Sequence, residues 1–358
     1  MSFPCARIDG SALRHNLARV RSFAPASRVM AVIKANAYGH GLIATAQALV
    51  AAADSFGVAR LEEGMALRGA RIDNAVVLLE GVFTAAELQL AGREQFELVV
   101  HSFLQLELLE QYAGAHRFTV WFKLDTGMNR LGFRLDEFSD AWLRLGRCKA
   151  VGTTRLMTHL AAAEEIGGAS ARTQIERFNA LTGAIALERS IANSAALIGW
   201  PQARVDWVRP GLMMYGISPV PGRDADALGL RPAMTLQTQL IAVRNVPAGE
   251  TVGYGGLWRA PRDSVIGIAA IGYGDGYPRN LRAGTPILVN EQAVQVVGRI
   301  SMDMTAIDVT DLRTARIGDA VTVWGRGLPA DRVAPYADTI AYELVCGISQ
   351  RVAVEWSP

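Results

Sequence analysis

The 358-residue chain is half apolar and carries 36 basic against 34 acidic side chains, a formal charge of +2 with a pI near 8.5. That balance excludes a disordered chain, and without a dense lysine and arginine block it argues against nucleic acid as a partner. Cys5, Cys148 and Cys346 are odd in number and widely spaced, neither a disulfide framework nor a metal motif, so a reducing compartment is expected and a metal is not. With no N-terminal apolar leader and no run of about eighteen apolar residues, a soluble cytoplasmic protein without membrane contact is expected.

A short segment at 5–8 precedes a cap at Asp9 or Ser11, after which Leu13, Leu17 and Val20 share a helical face. Strand-like runs then alternate with helical ones. Strands are expected at 29–33, 55–58, 75–79, 96–100, 118–124, 150–158, 188–192 and 207–213, with helices at 61–71, 84–91, 103–112, 135–145 and 170–181. Eight strands with intervening helices are the number a closed (β/α)8 TIM-like barrel requires.

After Gly216 the texture changes. Pro219, Pro221 and Gly222 read as a linker or loop, and strand-rich segments follow at 234–243, 265–271, 285–289, 293–297, 305–309 and 320–324. A mostly β C-terminal domain is expected, giving an α/β barrel at 1–225 and a β domain at 226–358, with the first residues free to pair with the latter. Residues 338–344 suit a short helix or a loop, and 348–356 a last strand.

The apolar run at 29–33 ends in Lys34, and Gly39 and Gly41 then turn the chain into a helix. An ammonium at the mouth of a core is desolvated, so Lys34 suits an amine nucleophile or one side of an imine, although a surface lysine beyond a strand has the same local pattern. In a barrel, Tyr38, Lys123, Arg130, His159, Asn193, Ser194, Arg209 and Gly211 would converge with it at the C-terminal mouth. Paired cations there could clamp a carboxylate, and Gly211 beside Leu212 could expose backbone N–H groups to a phosphate. In the β domain Tyr254 and Tyr273 lie among glycines, where packing and functional roles are equally open.

Taken together, AVIKANAYGHG from Ala31, KLDTGMNRLGF from Lys123, THLAAAEE from Thr158, ANSA from Ala192, VRPGLMMYG from Val208, VGYGG from Val252, IGYGDGYPR from Ile271, GRISMD from Gly298 and the pair Tyr342–Glu343 resemble the alanine racemases that use pyridoxal phosphate. The resemblance covers nearly the whole chain. It implies the interconversion of L- and D-alanine by two-base α-proton transfer on a pyridoxal 5'-phosphate aldimine. It also implies a head-to-tail homodimer in which one subunit's β domain completes the other's site.

By that resemblance Lys34 carries the cofactor and acts as one base, with Tyr254 as the other. Tyr38, Ser194, Tyr342 and backbone groups at Gly211 and Leu212 contact the phosphate. Arg209 faces the pyridine nitrogen with His159 beside it, and Asn193 lies in the same cofactor site. Arg130 meets the cofactor's phenolic oxygen and the substrate carboxylate, and Lys123 matches a lysine often carbamylated in the family. Tyr273, Met302 and Asp303 line substrate entry and carboxylate binding from the partner subunit. Gly253 stands where serine is frequent and Ser301 where some members have cysteine, departures that touch pocket dimensions and not the reaction. A racemase of serine or another amino acid is the nearest alternative, then a decarboxylase of related fold, and last a non-catalytic cofactor-binding protein.

Overall fold

Apolar β-branched runs alternating with helices close into a barrel in the computed structural model, which describes residues 4–312 and 314–357. A first strand, β1 (Cys5–Asp9), leads into a helix at Gly10–Phe23 capped by Asp9, whose carboxylate accepts the Ala12 N–H at 3.0 Å. Eight parallel strands follow: β2 (Arg28–Val32), β3 (Ser55–Val58), β4 (Ala75–Leu78), β5 (Glu97–Val100), β6 (Phe118–Lys123), β7 (Val151–Met157), β8 (Arg189–Asn193) and β9 (Trp207–Arg209). The ring closes where Arg28 and Val29 pair with Trp207 and Val208.

Strand alternation sends one set of residues inward and the other under the helices. Met30, Val77, Val99, Trp121, Met157 and Trp207 fill the barrel interior as a cluster of their own. Val29, Ala31, Phe56, Val76, Leu98 and Phe122 join the larger core, which also takes in the inner faces of helices such as Phe103–Glu110 and Ala169–Thr182.

The strand expected over 207–213 stops at Arg209. Pro210 has no N–H to continue the ladder, and Leu212–Tyr215 winds into a 3-10 turn instead. Within 338–344 the helix alternative holds in part, as Ala341–Cys346.

The remaining strands are β10 (Met234–Val246), β11 (Thr251–Val252), β12 (Trp258–Arg259), β13 (Ser264–Ala269), β14 (Pro286–Val289), β15 (Gln292–Val297), β16 (Thr305–Asp308), β17 (Ala320–Trp324) and β18 (Ala353–Ser357). Except for the small β11–β12 ribbon they form one sheet with β1, ordered β13-β16-β15-β14-β17-β10-β1-β18, and β10 also pairs with β13. The long β10 shifts register between Leu240 and Ala242, so its first half serves β1 and β17 and its second half β13. Because β1 lies between β10 and β18, it belongs to the β domain's sheet, and from it the chain crosses to the barrel and later returns. Among the described residues no helix is long and apolar enough to cross a membrane.

Candidate active site

A cavity of about 650 Å³ opens at the C-terminal ends of the barrel strands, a size suited to a small ligand or cofactor. It brings together Lys34, Tyr38, Lys123, Arg130, His159, Asn193, Ser194, Arg209, Gly211 and Tyr342. Leu212 is buried just beyond Gly211, outside the lining.

Lys34 stands two residues past the end of β2, at the head of an unusual turn. Ala35, Asn36, Ala37 and Tyr38 all have positive φ, between 52° and 54°. The glycines at 39 and 41 were the expected place for such dihedrals, but the left-handed conformation begins four residues earlier, in side chains that resist it. Asn36 tolerates it, but Ala35, Ala37 and Tyr38 each cost about 1–2 kcal/mol there, so the surroundings must hold the turn.

Glu63 does so from one side. One carboxylate oxygen accepts the Ala35 N–H at 2.6 Å and the other the N–H groups of Ala59 and Arg60 at 2.8 and 3.2 Å. Asn36 accepts the Leu42 N–H at 2.9 Å, tying the turn to the next helix. At Gly39, with φ of +79°, a Cβ would run into the Val345 carbonyl, which is why the chain can approach the β domain there only without a side chain.

On the far wall Arg209 is buried, and the bonds it makes all go to neutral acceptors. It donates to Ser190 Oγ at 2.5 Å, to the Thr158 carbonyl at 2.6 Å, to the Ile191 carbonyl and to His159 Nδ1, the last two at 3.3 Å. Burial lowers its pKa to about 10. Desolvation, then the positive fields of Arg209, Lys123, Arg130 and Lys34, hold His159 well below its ordinary value and therefore neutral.

Lys123, 8% exposed, is pushed down to about 8 by desolvation and by Arg209, Arg130 and Lys34, with Asp125 opposing. No ion pair among the described residues engages Lys34, Lys123, Arg130 or Arg209. Glu80 and Glu164 also line the cavity but form no ion pair with these four cations, and the excess of positive charge suits an anionic ligand.

The phosphate-suited end is built from neutral donors and bare backbone. Ser194 Oγ accepts the N–H groups of Gly211 at 2.9 Å and Met213 at 3.3 Å, leaving its O–H for a ligand. Asn193 caps the short helix Ser194–Gly199, accepting the Ala196 N–H at 3.0 Å. A Cβ on Gly211 would lie 2.5 Å from Tyr38 Oη, so only glycine lets that phenol reach the cavity floor. Tyr38 stacks on Tyr215 at 4.8 Å and lies 5.6 Å from Tyr342. Burial raises the pKa of Tyr38, and that of Tyr342 to about 12, so both stay protonated donors.

Tyr254, Tyr273, Met302 and Asp303 do not line this cavity; they belong to loops of the β domain instead. Tyr254 is 68% and Met302 52% exposed. The Tyr273 N–H bonds the Ser301 carbonyl at 3.0 Å and the Gly274 N–H the Met302 carbonyl at 2.8 Å, joining two loops. Asp303 accepts from Arg351 at 2.6 Å. Glu63, Ser190, Thr158 and Arg351 were missed from the sequence. Only Glu63 carried a local signal, a glutamate near a helix start that reads as capping, with no hint that it reaches the Lys34 turn.

The geometry has close counterparts. Residues 8–219 match the alanine racemase N-terminal domain and residues 233–356 the alanine racemase C-terminal domain. The chain is 48% identical over 353 residues to an alanine racemase of Shewanella loihica, covering 98% of each chain. It superposes on the crystal structure of the biosynthetic alanine racemase from Pseudomonas aeruginosa with a TM-score of 0.96, at 43% identity over 99% of each chain. For the alanine racemase from Bartonella henselae with covalently bound pyridoxal phosphate the TM-score is 0.89, at 27% identity over 100% of each chain. The chain therefore belongs to the alanine racemase family.

Proposed function

We propose that the protein interconverts L- and D-alanine with pyridoxal 5'-phosphate held at Lys34. The observation that carries this reading is the cavity itself, where an amine, three further cations and two protonated phenols face one another and outnumber the two lining carboxylates, Glu80 and Glu164. Tyr38, Ser194, Tyr342 and the backbone at Gly211 and Leu212 would hold the phosphate, Arg209 the ring nitrogen with His159 beside it, and Asn193 would fix the Ser194 corner. Arg130 would meet the phenolic oxygen and the substrate carboxylate. When bound, the cofactor supplies the electron sink that makes the α-proton of the amino acid removable.

Inversion needs a proton taken at one face of the α carbon and returned at the other. Lys34 serves one face through Nζ. Tyr254 serves the other, and its exposure outside the Lys34 cavity of its own chain supports delivery from a partner subunit. The reading thus requires a head-to-tail homodimer in which residues 1–225 form the cofactor-binding barrel and residues 226–358 complete the partner's site. Tyr273, Met302 and Asp303 would then line substrate entry and contact the carboxylate.

The depressed Lys123 amine supports a carbamate at that position. Its neutral form adds to carbon dioxide with loss of one proton, turning a cation into an anion able to orient Arg130. The free thiols Cys5, Cys148 and Cys346 support a reducing, cytoplasmic setting.

The test is to incubate the purified protein and pyridoxal phosphate with each alanine enantiomer in heavy water, following chirality and α-deuterium together. Approach to an equal mixture from both sides with deuterium entering the product is expected. Neither inversion nor exchange would reject alanine as the substrate, and carbon dioxide release would point to decarboxylation.

A further inference from the structure

A second, far smaller cavity, about 10 Å³, lies where the barrel meets the β domain. Its lining includes His40 and Tyr215 from the barrel side and Met234, Trp324 and Val345 from the other. His40 directly follows the left-handed turn and is fully buried, its ring 4.4 Å from that of Tyr215.

The Nδ1 of His40 faces two carbonyls, Ala37 at 3.1 Å and Tyr38 at 2.9 Å, so this nitrogen carries the proton and Nε2 is left as an acceptor. Burial pushes the ring's pKa down to about 4, which keeps it neutral at physiological pH. His40 Nε2 has no hydrogen-bond partner among the described residues, and neither has Trp324 Nε1, an indole N–H that can only donate.

His40 and Trp324 both line the cavity, one carrying an unpaired buried acceptor and the other an unpaired buried donor, and such a pair calls for a molecule that accepts from one and donates to the other. A cation cannot accept from the indole, and an anion cannot donate to the imidazole. A neutral molecule with both a donor and an acceptor does both, and a space at the lower limit of about 10–15 Å³ admits one water and nothing larger. We propose that this cavity is a site for a single ordered water that accepts from Trp324 Nε1–H and donates to His40 Nε2, tying strand β17 to the turn that carries Lys34 and Tyr38. Glu63 holds that turn at its start and the hydrated His40 at its end, so the β domain steadies the lysine of its own subunit. The inference does not depend on the reaction assigned to the site.

The first experiment looks for a long-lived water by cross-relaxation to the Trp324 indole proton in the full-length protein, together with the ¹⁵N shift of His40 Nε2. A water cross-peak and an Nε2 shifted as a hydrogen-bonded acceptor are expected. A dry indole or an unbonded Nε2 would overturn the site.

The second experiment replaces the donor while keeping an aromatic ring. In Trp324→Phe, amide exchange at Gly39, His40 and Gly41, whose N–H groups bond to Ala35, Ala37 and Asn36, should speed up about tenfold while the β8 and β9 amides hold. Unchanged exchange at the turn would show that the water fills space without tying anything and would overturn the coupling. If Trp324→Phe does not fold, Glu63→Gln against Glu63→Ala reads the same amides from the other clamp. Failure of Glu63→Ala to loosen them would contradict a turn that depends on its two clamps.

Discussion

The two ends of the barrel use similar side chains to opposite purposes. At the N-terminal end Arg155 lies between the rings of Trp121 and Trp207, at 5.1 and 4.9 Å, and bonds Glu97 at 2.9 Å and Glu188 at 2.6 Å. Both indoles donate to the same carboxylates, Trp121 to Glu97 at 2.7 Å and Trp207 to Glu188 at 3.0 Å, and Arg28 adds a second cation to Glu188 at 3.2 Å. Every charge there has a partner, and the result is a plug. At the C-terminal end Lys34, Lys123, Arg130 and Arg209 line open space, and among the described residues no carboxylate is paired to them, not even Glu80 and Glu164 on the same lining. What separates floor from site is thus not the presence of charge but whether the protein neutralises it internally.

The contrast predicts that changes at the open end abolish chemistry and spare stability. Lys34→Ala should lower racemisation by at least about 10⁴-fold in both directions, because it removes a base and the cofactor's anchor together. Its denaturation midpoint should stay at or above that of the unaltered protein, since an unpaired cation leaves the site. Retained turnover would remove Lys34 from the chemistry.

Tyr254→Phe should cost about 10²–10⁴-fold in inversion while the cofactor stays bound. One enantiomer should still exchange its α-proton with solvent through Lys34 without inverting, and the other should not. Equal exchange from both enantiomers would break the two-base assignment.

At the closed end the pattern should reverse. Arg155→Met leaves Glu97 and Glu188 without their shared cation, and for this partly buried cluster, in which Glu188 keeps Arg28 and Trp207, the loss should cost about 1–3 kcal/mol of stability. Activity per folded molecule should be unchanged. A fall in kcat without a shift in denaturation midpoint would show that the floor reaches the chemistry.

The smallest effect concerns Lys123. Its folded-state pKa of about 8 lies below the ordinary 10.5, so between those values the unfolded chain holds more protons and stability should rise with pH. The slope approaches about 1.4 kcal/mol per pH unit for one proton, and below pH 8 the penalty is constant. Lys123→Met should flatten that rise in buffer free of carbon dioxide. Parallel curves for the two proteins would contradict an uncompensated buried amine.

Much of this contrast was legible in the residues. The strand runs 55–58, 75–79 and 118–124 declare themselves because both faces of a barrel strand are buried, and the top-end residues follow as whatever comes next in the chain. The floor was not legible. Glu97, Arg155 and Glu188 come from separate strand segments and meet only because the sheet closes, a long-range fact that no local pattern carries. The turn at 35–38 was hidden for another reason, since alanine and tyrosine are poor left-handed residues and Glu63 imposes the conformation from a different helix. Tyr254 was found through its motif, and its own chain leaves it outside the cavity.

The central claim is that the open end is completed by a second subunit, and subunit mixing tests it most directly. Lys34→Ala and Tyr254→Phe proteins, each nearly inactive, are dissociated, mixed in equal amounts and allowed to re-pair. If each site joins Lys34 of one subunit to Tyr254 of the other, half of the sites in a mixed dimer are intact, and random pairing should restore about a quarter of the original activity. No recovery, in a mixture shown to contain mixed dimers, would contradict the shared site.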